Sequence, residues 1–479
     1  MKRFFIWMLL VFSAFVAKAQ ELSCRYGFRY EISNSPNWGK NKLVITSVYA
    51  HTPAARAGIK SYDIIEEVEG VPITETVLDD IYLFLNPEGK EVVELTIKNI
   101  GDGVRKEKIS KECKSLQAIS EYQLASAFAM YAVEYAQERV FSCPFITSQT
   151  SDPVDFALFK TFDFFDKNDN QPELVKKING IIIKELTNRG LKHDSNSPDL
   201  LVQIYYSRKK NESYKPKTLA KTTKDADKNE ENHNVFRYDI TNDRMVKLPF
   251  LPPGTLESEA EFFLKLGVRL EDRKLAPGRI IWESEANELS NESYSIDDFA
   301  AIHIPLMFVQ YPYVKYGRNV QFHLLKKVYN YTGISYNIDN ISEVASVDPF
   351  SPAAAAGIKP LDRLDAINNK RMDRTAKQFN AAYHNFIVNT LKYKDVGTRF
   401  TDANGFPDCM YWEPLKYPLI VKEFNNKKNL TAFSYLFNYA PFITPSENNV
   451  CSFKISRDSE KLEFIIRPEI RSEISIVVD

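Results

Sequence analysis

Groups that could carry out catalysis occur in this 479-residue sequence, but their spacing does not fit a catalytic site. A trypsin-like serine protease needs its nucleophile in a Gly-x-Ser-Gly setting, and this motif is absent from the sequence. The histidines show no His-Glu-x-x-His or other metal spacing, and no glycine-rich phosphate loop occurs. These histidines are His51, His193, His233, His303, His323 and His384. We therefore expect a non-enzymatic protein with no cofactor and no metal.

Composition and charge are those of an ordinary globular protein. Hydrophobic residues make up 44% of the chain and charged residues 26%, and the formal net charge is −1. This charge gives no electrostatic reason to expect nucleic acid as a partner. At about 150 residues per domain, the length predicts about three domains.

One stretch of the sequence occurs twice, without a gap between the copies when they are aligned. From Ser47 it reads S-V-Y-A-H-T-P-A-A-R-A-G-I-K-S-Y-D, and from Ser346 it reads S-V-D-P-F-S-P-A-A-A-A-G-I-K-P-L-D. In each copy a hydroxyl residue and a proline suit the start of a short helix, and a glycine suits its end. Apolar segments precede and follow this helix, so each copy predicts a strand, a short helix and a second strand.

This repeated pattern resembles the PDZ domains of bacterial envelope proteins, whose signature runs S-P-A-x-x-A-G-I-K-x-G-D. Further PDZ elements surround both copies. Residues 76–86 and 375–387 correspond to the helix that lines the peptide groove, and residues 91–110 and 450–467 correspond to the closing hairpin.

The resemblance implies that each copy binds an extended peptide as an added strand. Loop N–H groups would hold a terminal carboxylate, and the groove helix would provide a pocket for an apolar C-terminal residue. The implied peptide-binding residues of the first copy are Tyr26, Gly27, Phe28, Val77 and Ile81. Those of the second copy are Gly333, Ile334, Phe379 and Tyr383.

One position departs from the PDZ signature in both copies. The glycine before the aspartate is replaced by Tyr62 in the first copy and by Leu361 in the second. With a side chain at this position, either the turn differs or a left-handed backbone persists with about 1–3 kcal/mol of strain.

The five cysteines would enter an oxidising compartment if the chain is exported. In the PDZ comparison Cys24 and Cys113 bracket the first copy, whose ends normally lie near each other, while Cys409 and Cys451 fall inside the second. Two disulfides are possible on this basis, with Cys143 left over. The alternative, that all five are buried free thiols, stays open because spacing does not determine connectivity.

Residues 150–315 are predicted to form a central α+β domain. Four of its segments, in order, are V-D-F-A-L-F-K-T-F, E-L-T-N-R-G-L, S-P-D-L-L-V-Q-I-Y-Y and R-I-I-W-E-S-E-A. This series resembles an uncharacterised domain family common in small envelope lipoproteins of Gram-negative bacteria. The resemblance implies a location and a shape but no chemistry.

The N-terminus has the pattern of a signal peptide. Lys2 and Arg3 precede an apolar run over residues 4–16, and Ala17-Lys18-Ala19 provides a cleavage site. Residues 1–19 are therefore predicted to be removed, and no later stretch is apolar enough to span a bilayer. We expect an exported protein that is periplasmic, outer-membrane-associated or extracellular.

Two further segments connect or interrupt these domains. Residues 114–148 are predicted to be a helical connector, because residues 116–140 carry apolar side chains at helical spacing without proline or glycine. Residues 389–449 form an aromatic-rich insertion in the second copy. A loop of this length either packs on a neighbouring domain or forms a wall beside the groove.

Together these patterns predict a multidomain α+β protein. Two PDZ-like small β-barrel or sandwich domains, residues 22–113 and 318–471, with helices, would flank the central domain. We expect a binding or scaffolding protein of the bacterial cell envelope whose partners are protein or peptide C-termini. The alternatives are a structural component of an envelope complex with non-binding PDZ-like domains, and a regulatory subunit of an envelope protease.

Overall fold

Two compact units make up the computed structural model of the chain. The larger unit contains Tyr26–Lys111, Glu138–Leu325 and Ser475–Asp479, and the smaller unit contains Met1–Arg25, Glu112–Gln137 and Lys326–Ile474. The structure describes residues 22–478 except 34–39, 88, 100–102, 116–117, 128–135, 167–170, 215–234, 253, 338–339, 373–375, 400–409, 425 and 427–449. The predicted signal peptide, residues 1–19, therefore lies outside the described residues.

Residues 22–127 contain the first repeat and the segment that follows it. The strands are β1 (Leu22–Arg25), β2 (Phe28–Ser33), β3 (Lys42–Val48), β4 (Ile64–Val68), β5 (Val71–Pro72), β6 (Val92–Asn99), β7 (Gly103–Ser110), β8 (Glu112–Ser115) and β9 (Ala118–Ser120). The α helices are α1 (Pro53–Arg56), α2 (Ile81–Leu85) and α3 (Glu121–Ala127). Strands β2, β3, β4, β6 and β7 pair in this order, β5 pairs with β4, and β1 pairs with β8.

Residues 136–317 form the middle region. Its strands are β10 (Ala136–Gln149), β11 (Thr161–Phe164), β12 (Lys192–His193), β13 (Leu200–Lys210), β14 (Val235–Asp239), β15 (Arg244–Leu248), β16 (Phe262–Asp272) and β17 (Arg279–Ser290). Its α helices are α4 (Glu173–Asn188) and α5 (Ile296–Phe308). Helix α4 begins after Pro172 and buries Ile178, Ile182 and Leu186, which recur every four residues along one face. This spacing of apolar residues is that of an amphipathic helix.

Residues 318–478 contain the second repeat. Its strands are β18 (Arg318–Tyr331), β19 (Ile334–Asn337), β20 (Val344–Val347), β21 (Arg363–Ile367), β22 (Lys370–Arg371), β23 (Cys451–Arg457), β24 (Glu460–Ile466) and β25 (Glu469–Val478). Its α helices are α6 (Pro352–Ala356), α7 (Ala376–Thr390) and α8 (Tyr417–Phe424). One sheet has the order β22, β21, β23, β24, and another has the order β20, β19, β9.

The main sheet of the larger unit is built around the middle region, in the order β12, β11, β13, β16, β17, β10, β18, β25. Strand β11 pairs in parallel with both β12 and β13. Helix α4 forms the crossover from β11 to β12. Strand β16 pairs antiparallel with both β13 and β17. Helices α4 and α5 pack together, and Trp282 stacks on Phe308 at a centroid distance of 5.2 Å in the core of this unit. The fold is thus mixed α+β, with more strands than helices.

The two repeats have the same helix caps and the same local backbone conformation. Thr52 caps α1 by accepting a hydrogen bond from the N–H of Ala55, and Ser351 caps α6 in the same way. Each helix begins with a proline, as the sequence predicts. The residue before each cap is left-handed, with φ of 60° at His51 and 61° at Phe350. His51 thus holds the same backbone position as a phenylalanine, as expected for a structural residue.

The substituted glycine position remains left-handed in both repeats, with φ of 71° at Tyr62 and 70° at Leu361. Of the two outcomes that the sequence allowed, the strained backbone is the one observed. The side chains differ in their surroundings. Tyr62 is 9% exposed and lies 6.2 Å from the ring of Tyr313 in the middle region, whereas Leu361 is 78% exposed. Tyr62 therefore gains packing against the middle region, whereas Leu361 is mostly exposed.

The predicted helical connector over residues 114–148 is wrong in most of its length. Among the described residues, only Glu121–Ala127 is helical, while β8, β9 and β10 contain most of the others. Along β10 the burial alternates, with Phe141, Cys143 and Phe145 buried and their neighbours more exposed. A period of two buries one face of a strand, and this pattern competes with the helical spacing inferred for residues 116–140.

The predicted groove helix over residues 76–86 is also shorter than expected. It is divided into a 3₁₀ turn, Glu75–Val77, and α2, which has five residues. In the second repeat the corresponding helix, α7, is longer than predicted and ends at Thr390. Thr390 is buried, and its hydroxyl donates to the carbonyl of Phe386 at 2.9 Å.

The cysteines form one of the two bridges that the sequence allows. Cys24 and Cys113 face each other across the β1–β8 pair and form a disulfide. The proposed Cys409–Cys451 bridge is corrected, because Cys451 is a free thiol that is 1% exposed on β23. Its partner Cys409 lies outside the described residues. Burial raises the pKa of Cys451 to about 11, so this thiol stays protonated at neutral pH.

We expect Leu361→Gly to stabilise the protein by about 0.5–1 kcal/mol. A left-handed non-glycine residue costs about 1–2 kcal/mol, less the flexibility that glycine adds to the unfolded chain. Tyr62→Gly is the matched control: it relieves the same strain but removes a buried ring, so we expect a net loss of about 2–4 kcal/mol. Calorimetric unfolding of both variants measures the two signs, and a destabilised Leu361→Gly variant would contradict the strain argument.

Candidate peptide-binding grooves

In the first repeat, a loop with a left-handed glycine precedes β2. Gly27 has φ of +91°, and a Cβ at this position would lie 2.1 Å from Cβ of Thr52. Only glycine fits there, because Thr52 occupies the space and caps α1. In the described part of the chain, the N–H groups of Tyr26 and Gly27 donate to no protein acceptor. The loop thus presents two adjacent backbone donors.

The residues predicted to line the first groove come together only in part. Tyr26 connects the loop to α2, since its hydroxyl donates to the carbonyl of Leu85 at 2.5 Å. Ile81 is buried in the same apolar cluster as Tyr26, and Phe28 packs against this cluster. Val77 lies half-buried in the 3₁₀ turn before α2. Strand β2 is at the end of its sheet, and within the described ranges no strand pairs with its outer edge.

The loop of the second repeat has the same geometry. Gly333 has φ of +91°, and a Cβ there would lie 2.2 Å from Cβ of Ser351, the cap of α6. Ile334 begins β19 and is buried in the core of the smaller unit. The predicted pocket residues Phe379 and Tyr383 fall on α7, but their side chains lie outside the described residues.

A strand from the chain itself pairs with the groove strand of the second repeat. Strand β9 pairs antiparallel with β19, on the side opposite β20. The register places Ser120 opposite Ser335, Ile119 opposite Tyr336 and Ala118 opposite Asn337. Addition of an extended segment to an open sheet edge is the mode by which β-augmentation binds peptides. Here the added segment belongs to the connector.

The residue that follows this strand carries a carboxylate into the loop. The N–H groups of Thr332 and Gly333 donate to Oε2 of Glu121 at 2.8 and 3.1 Å, and the hydroxyl of Thr332 donates to Oε1. Glu121 is 2% exposed. Charge-assisted hydrogen bonds to backbone N–H groups are the contacts expected of a terminal carboxylate in such a loop. The side chain of Glu121 makes these contacts in its place.

Sequence reasoning missed Glu121 as a site residue. Glu121 and Thr332 are 211 residues apart, and Ala118-Ile119-Ser120-Glu121 matches no binding motif. The segment also lies within the run assigned to a helix. No local signal in the sequence could have identified it, because its conformation depends on a distant partner strand.

Burial dominates the electrostatics of this carboxyl group. It raises the pKa of Glu121 to about 7, although the hydrogen bonds from Thr332 and Gly333 act in the opposite direction. The carboxylate of Asp348 contributes further to the increase. Lys114 lies 3.2 Å from Asp348 and partly compensates its charge.

A PDZ domain protein from Parabacteroides distasonis has a solved structure with 48% sequence identity to this chain. The match covers 96% of this chain and 100% of that chain, with a TM-score of 0.74. The chain belongs to this family of PDZ domain proteins. No curated protein matches it.

Two family models match parts of this PDZ domain protein. A PDZ domain model matches residues 44–99, so the resemblance of the first repeat is confirmed. A model for a domain of unknown function, DUF4136, matches residues 147–313 in the middle region.

Two further solved structures match shorter parts of the PDZ domain protein, each with a TM-score of 0.17. One is the HtrA3 PDZ domain bound to a phage-derived ligand (FGRWV), at 21% identity over 19% of this chain and 88% of that chain. The other is a photosystem II D1 C-terminal processing protease, at 13% identity over 38% and 41%.

The middle region of this PDZ domain protein holds a buried polar cluster. Nη2 of Arg237 donates to Oε1 of Glu288 at 2.8 Å, and Nε2 of His303 lies 3.2 Å from the same oxygen. All three residues are almost completely buried. Burial raises the pKa of the nearby Cys143 thiol to about 12, so no reactive thiolate forms at neutral pH. Such a cluster is suited to a structural role in the core.

Within the described ranges, no group of three or more His, Cys, Asp and Glu side chains could hold a metal ion. In those ranges the structure also contains no helix that is long and apolar enough to cross a membrane.

We expect the carboxyl group of Glu121 to titrate near pH 7 in the folded protein, compared with an ordinary value of 4.5. Because the folded state holds this proton more tightly than the unfolded chain, the resulting stabilisation is fully present below about pH 4.5 and is lost as the pH rises through about 7. The loss is on the order of 3 kcal/mol.

An NMR titration of the Glu121 carboxyl carbon measures the pKa directly. Denaturant unfolding across the same pH window measures its effect on stability, and Glu121→Gln should remove this component of the pH dependence. A midpoint close to 4.5 would contradict the dominance of burial over the hydrogen bonds.

Proposed function

We propose that this PDZ domain protein is a non-enzymatic binding or scaffolding protein of the bacterial cell envelope. Its PDZ groove binds extended peptide segments that end in a free carboxylate. Membership of the PDZ family supports peptide binding or scaffolding, and the loop at Gly27 supports recognition of a carboxylate. The other residues proposed for the first groove are Tyr26, Phe28, Val77 and Ile81.

The observation that carries this proposal is the docking of the connector in the second repeat. Strand β9 adds to β19, and a carboxylate accepts hydrogen bonds from two successive loop N–H groups. The first repeat presents the equivalent donors at Tyr26 and Gly27. The carbonyl of Tyr26 accepts from the N–H of Ala54, just as that of Thr332 accepts from Ala353. A groove of this geometry can therefore hold a strand and a carboxylate.

The same correspondences support a second PDZ unit. The left-handed glycine, the hydroxyl cap beside it and the strand that receives an added segment recur around Gly333. Its sheet of β21, β23 and β24 is completed by the hairpin that the repeat predicts. These correspondences support the proposal that the smaller unit contains a second PDZ domain.

Export to the envelope is supported by chemistry as well as by the N-terminal pattern. The Cys24–Cys113 disulfide suits an oxidising compartment. The proposed location is periplasmic, outer-membrane-associated or extracellular.

A structural role is the second candidate, and a specific observation favours it for one repeat. The groove of the second repeat already holds a segment of the chain. That unit would then contribute to an envelope assembly without binding free peptides.

We expect the mature protein, beginning at Gln20, to bind peptides with a free C-terminus and an apolar last residue. The same peptides with a C-terminal amide should bind about tenfold more weakly or worse, because charged hydrogen bonds contribute about 1.5–3 kcal/mol. Fluorescence anisotropy with matched acid and amide peptide libraries measures this difference.

Gly27→Ala tests whether the first loop is responsible. Its Cβ would clash with Thr52, whereas the control Gly70→Ala has a similar φ, +76°, and no atom within 4 Å of the added Cβ. Binding should be lost in Gly27→Ala and retained in Gly70→Ala. Equal binding of acids and amides, or no binding at all, would reject the proposed function and favour the structural role.

A further inference from the structure

The groove of the second repeat has a ligand of its own. We propose that residues 118–124 are a built-in ligand that closes this groove to external peptides, so that the first repeat provides the peptide-binding groove of the chain. This inference rests on the proposed peptide-binding function.

The backbone of the groove strand is already paired on both sides. Strand β19 has β20 on one side and β9 on the other. An external peptide would have to add at the position that β9 holds, because a strand has only two edges. Binding from outside therefore requires β9 to leave.

The loop N–H groups that would bind a peptide carboxylate are also already hydrogen-bonded. Thr332 and Gly333 both donate their N–H groups to Glu121. A peptide carboxylate would need the same two donors. Departure of Glu121 without a replacement would leave these donors without their acceptor, which costs about 1–3 kcal/mol per buried group.

Side chains on either side of Glu121 anchor the segment. Leu124 is fully buried in the core of the smaller unit, and Ile119 packs against the same core. Burial of one leucine stabilises by about 1.5–3 kcal/mol. The ring of Tyr122 lies 4.2 Å from Nζ of Lys327 and 6.0 Å from the ring of Tyr329. Release would expose a core residue, so the segment is a lasting part of this unit.

The chain before the segment is fixed close to the groove. Strand β8 pairs with β1, and the Cys24–Cys113 disulfide joins the two strands. Lys114 on β8 lies 3.2 Å from Asp348 and 3.4 Å from the hydroxyl of Ser335 on β19. A ligand held on such a short tether has an effective concentration in the millimolar range.

The docked segment raises the apparent dissociation constant of an external peptide. The apparent dissociation constant is the intrinsic constant divided by the fraction of molecules with an open groove. A segment that is docked in about 99% of molecules weakens external binding about 100-fold. The first repeat pays no such penalty, because in the described residues neither β2 nor the N–H groups of Tyr26 and Gly27 have a competing partner.

The first test counts peptide sites in the full mature chain by titration calorimetry with free-acid peptides. We expect one site in the wild type and none in Gly27→Ala. A site should return when Gly27→Ala is combined with Glu121→Ala and Leu124→Ala, which together remove the carboxylate and the buried anchor of the segment. Glu460→Ala is the control for the loss of a carboxylate, since this residue is exposed on β24 of the same unit. Two sites in the wild type, or a site that survives in Gly27→Ala, would overturn the closed groove.

The second test does not depend on peptide binding. Hydrogen exchange of the Thr332 and Gly333 amides should be slow in the wild type and in Glu460→Ala, and about tenfold faster or more in Glu121→Ala. Fast exchange in the wild type would overturn the inference. If no peptide binds but these amides are protected, the proposed function fails while the built-in ligand stands.

A disulfide variant covers the case in which Glu121→Ala does not fold. Ser120 and Ser335 are directly opposite in the β9–β19 pair, so Ser120→Cys with Ser335→Cys can lock the segment in place. The number of peptide sites should be the same in this locked variant and in the wild type, both kept oxidised so that the Cys24–Cys113 disulfide stays intact. A second site that is present in the wild type and absent from the locked variant would show that the segment leaves readily and would overturn the proposal.

Discussion

Buried backbone N–H groups need acceptors, and the loops before β2 and β19 are shaped so that they present such groups side by side. A left-handed glycine, Gly27 or Gly333, makes this shape, and the adjacent hydroxyl cap fills the space a side chain would need. In the second repeat the acceptor is Glu121. This contact requires the connector to enter the groove as a strand and to turn into a helix at the residue that carries the carboxylate.

The repeats differ in the surroundings of the substituted glycine position, while the backbone there is the same. Tyr62 and Leu361 have nearly equal φ, yet one is buried against Tyr313 and the other is exposed. At Tyr62, packing in the larger unit compensates for the backbone strain. The first repeat thus uses this corner for contact with the middle region and keeps the edge of β2 without a described partner. The second repeat has its groove filled instead.

Signals that act within a few residues allowed parts of this fold to be predicted. The ends of α1 and α6 follow from a capping hydroxyl, a first-turn proline and a terminal glycine. Helix α4 and the β16–β17 hairpin follow from periods of four and two. The loop glycines could be placed through the PDZ resemblance. These features depend on neighbours in sequence, so one chain is enough to find them.

Features that depend on distant partners were not predictable in this way. A three-residue strand such as β9 has no alternation to detect, and its pairing is decided by β19. The alternation in β10 was present, but an overlapping helical spacing competed with it. Cys451 lies in a core whose composition is set by the whole second repeat, so its state as a free thiol could not be inferred from its spacing to Cys409.

The course of the chain explains why the built-in ligand is secure. The chain leaves the smaller unit after Arg25 and returns at Glu112, so the first repeat is an insertion whose two ends are joined by the Cys24–Cys113 disulfide. Strand β8 then leads within a few residues to β9 and Glu121. The disulfide and the β1–β8 pairing fix the start of the groove segment. The tether is therefore short, and the local concentration of the internal carboxylate is high.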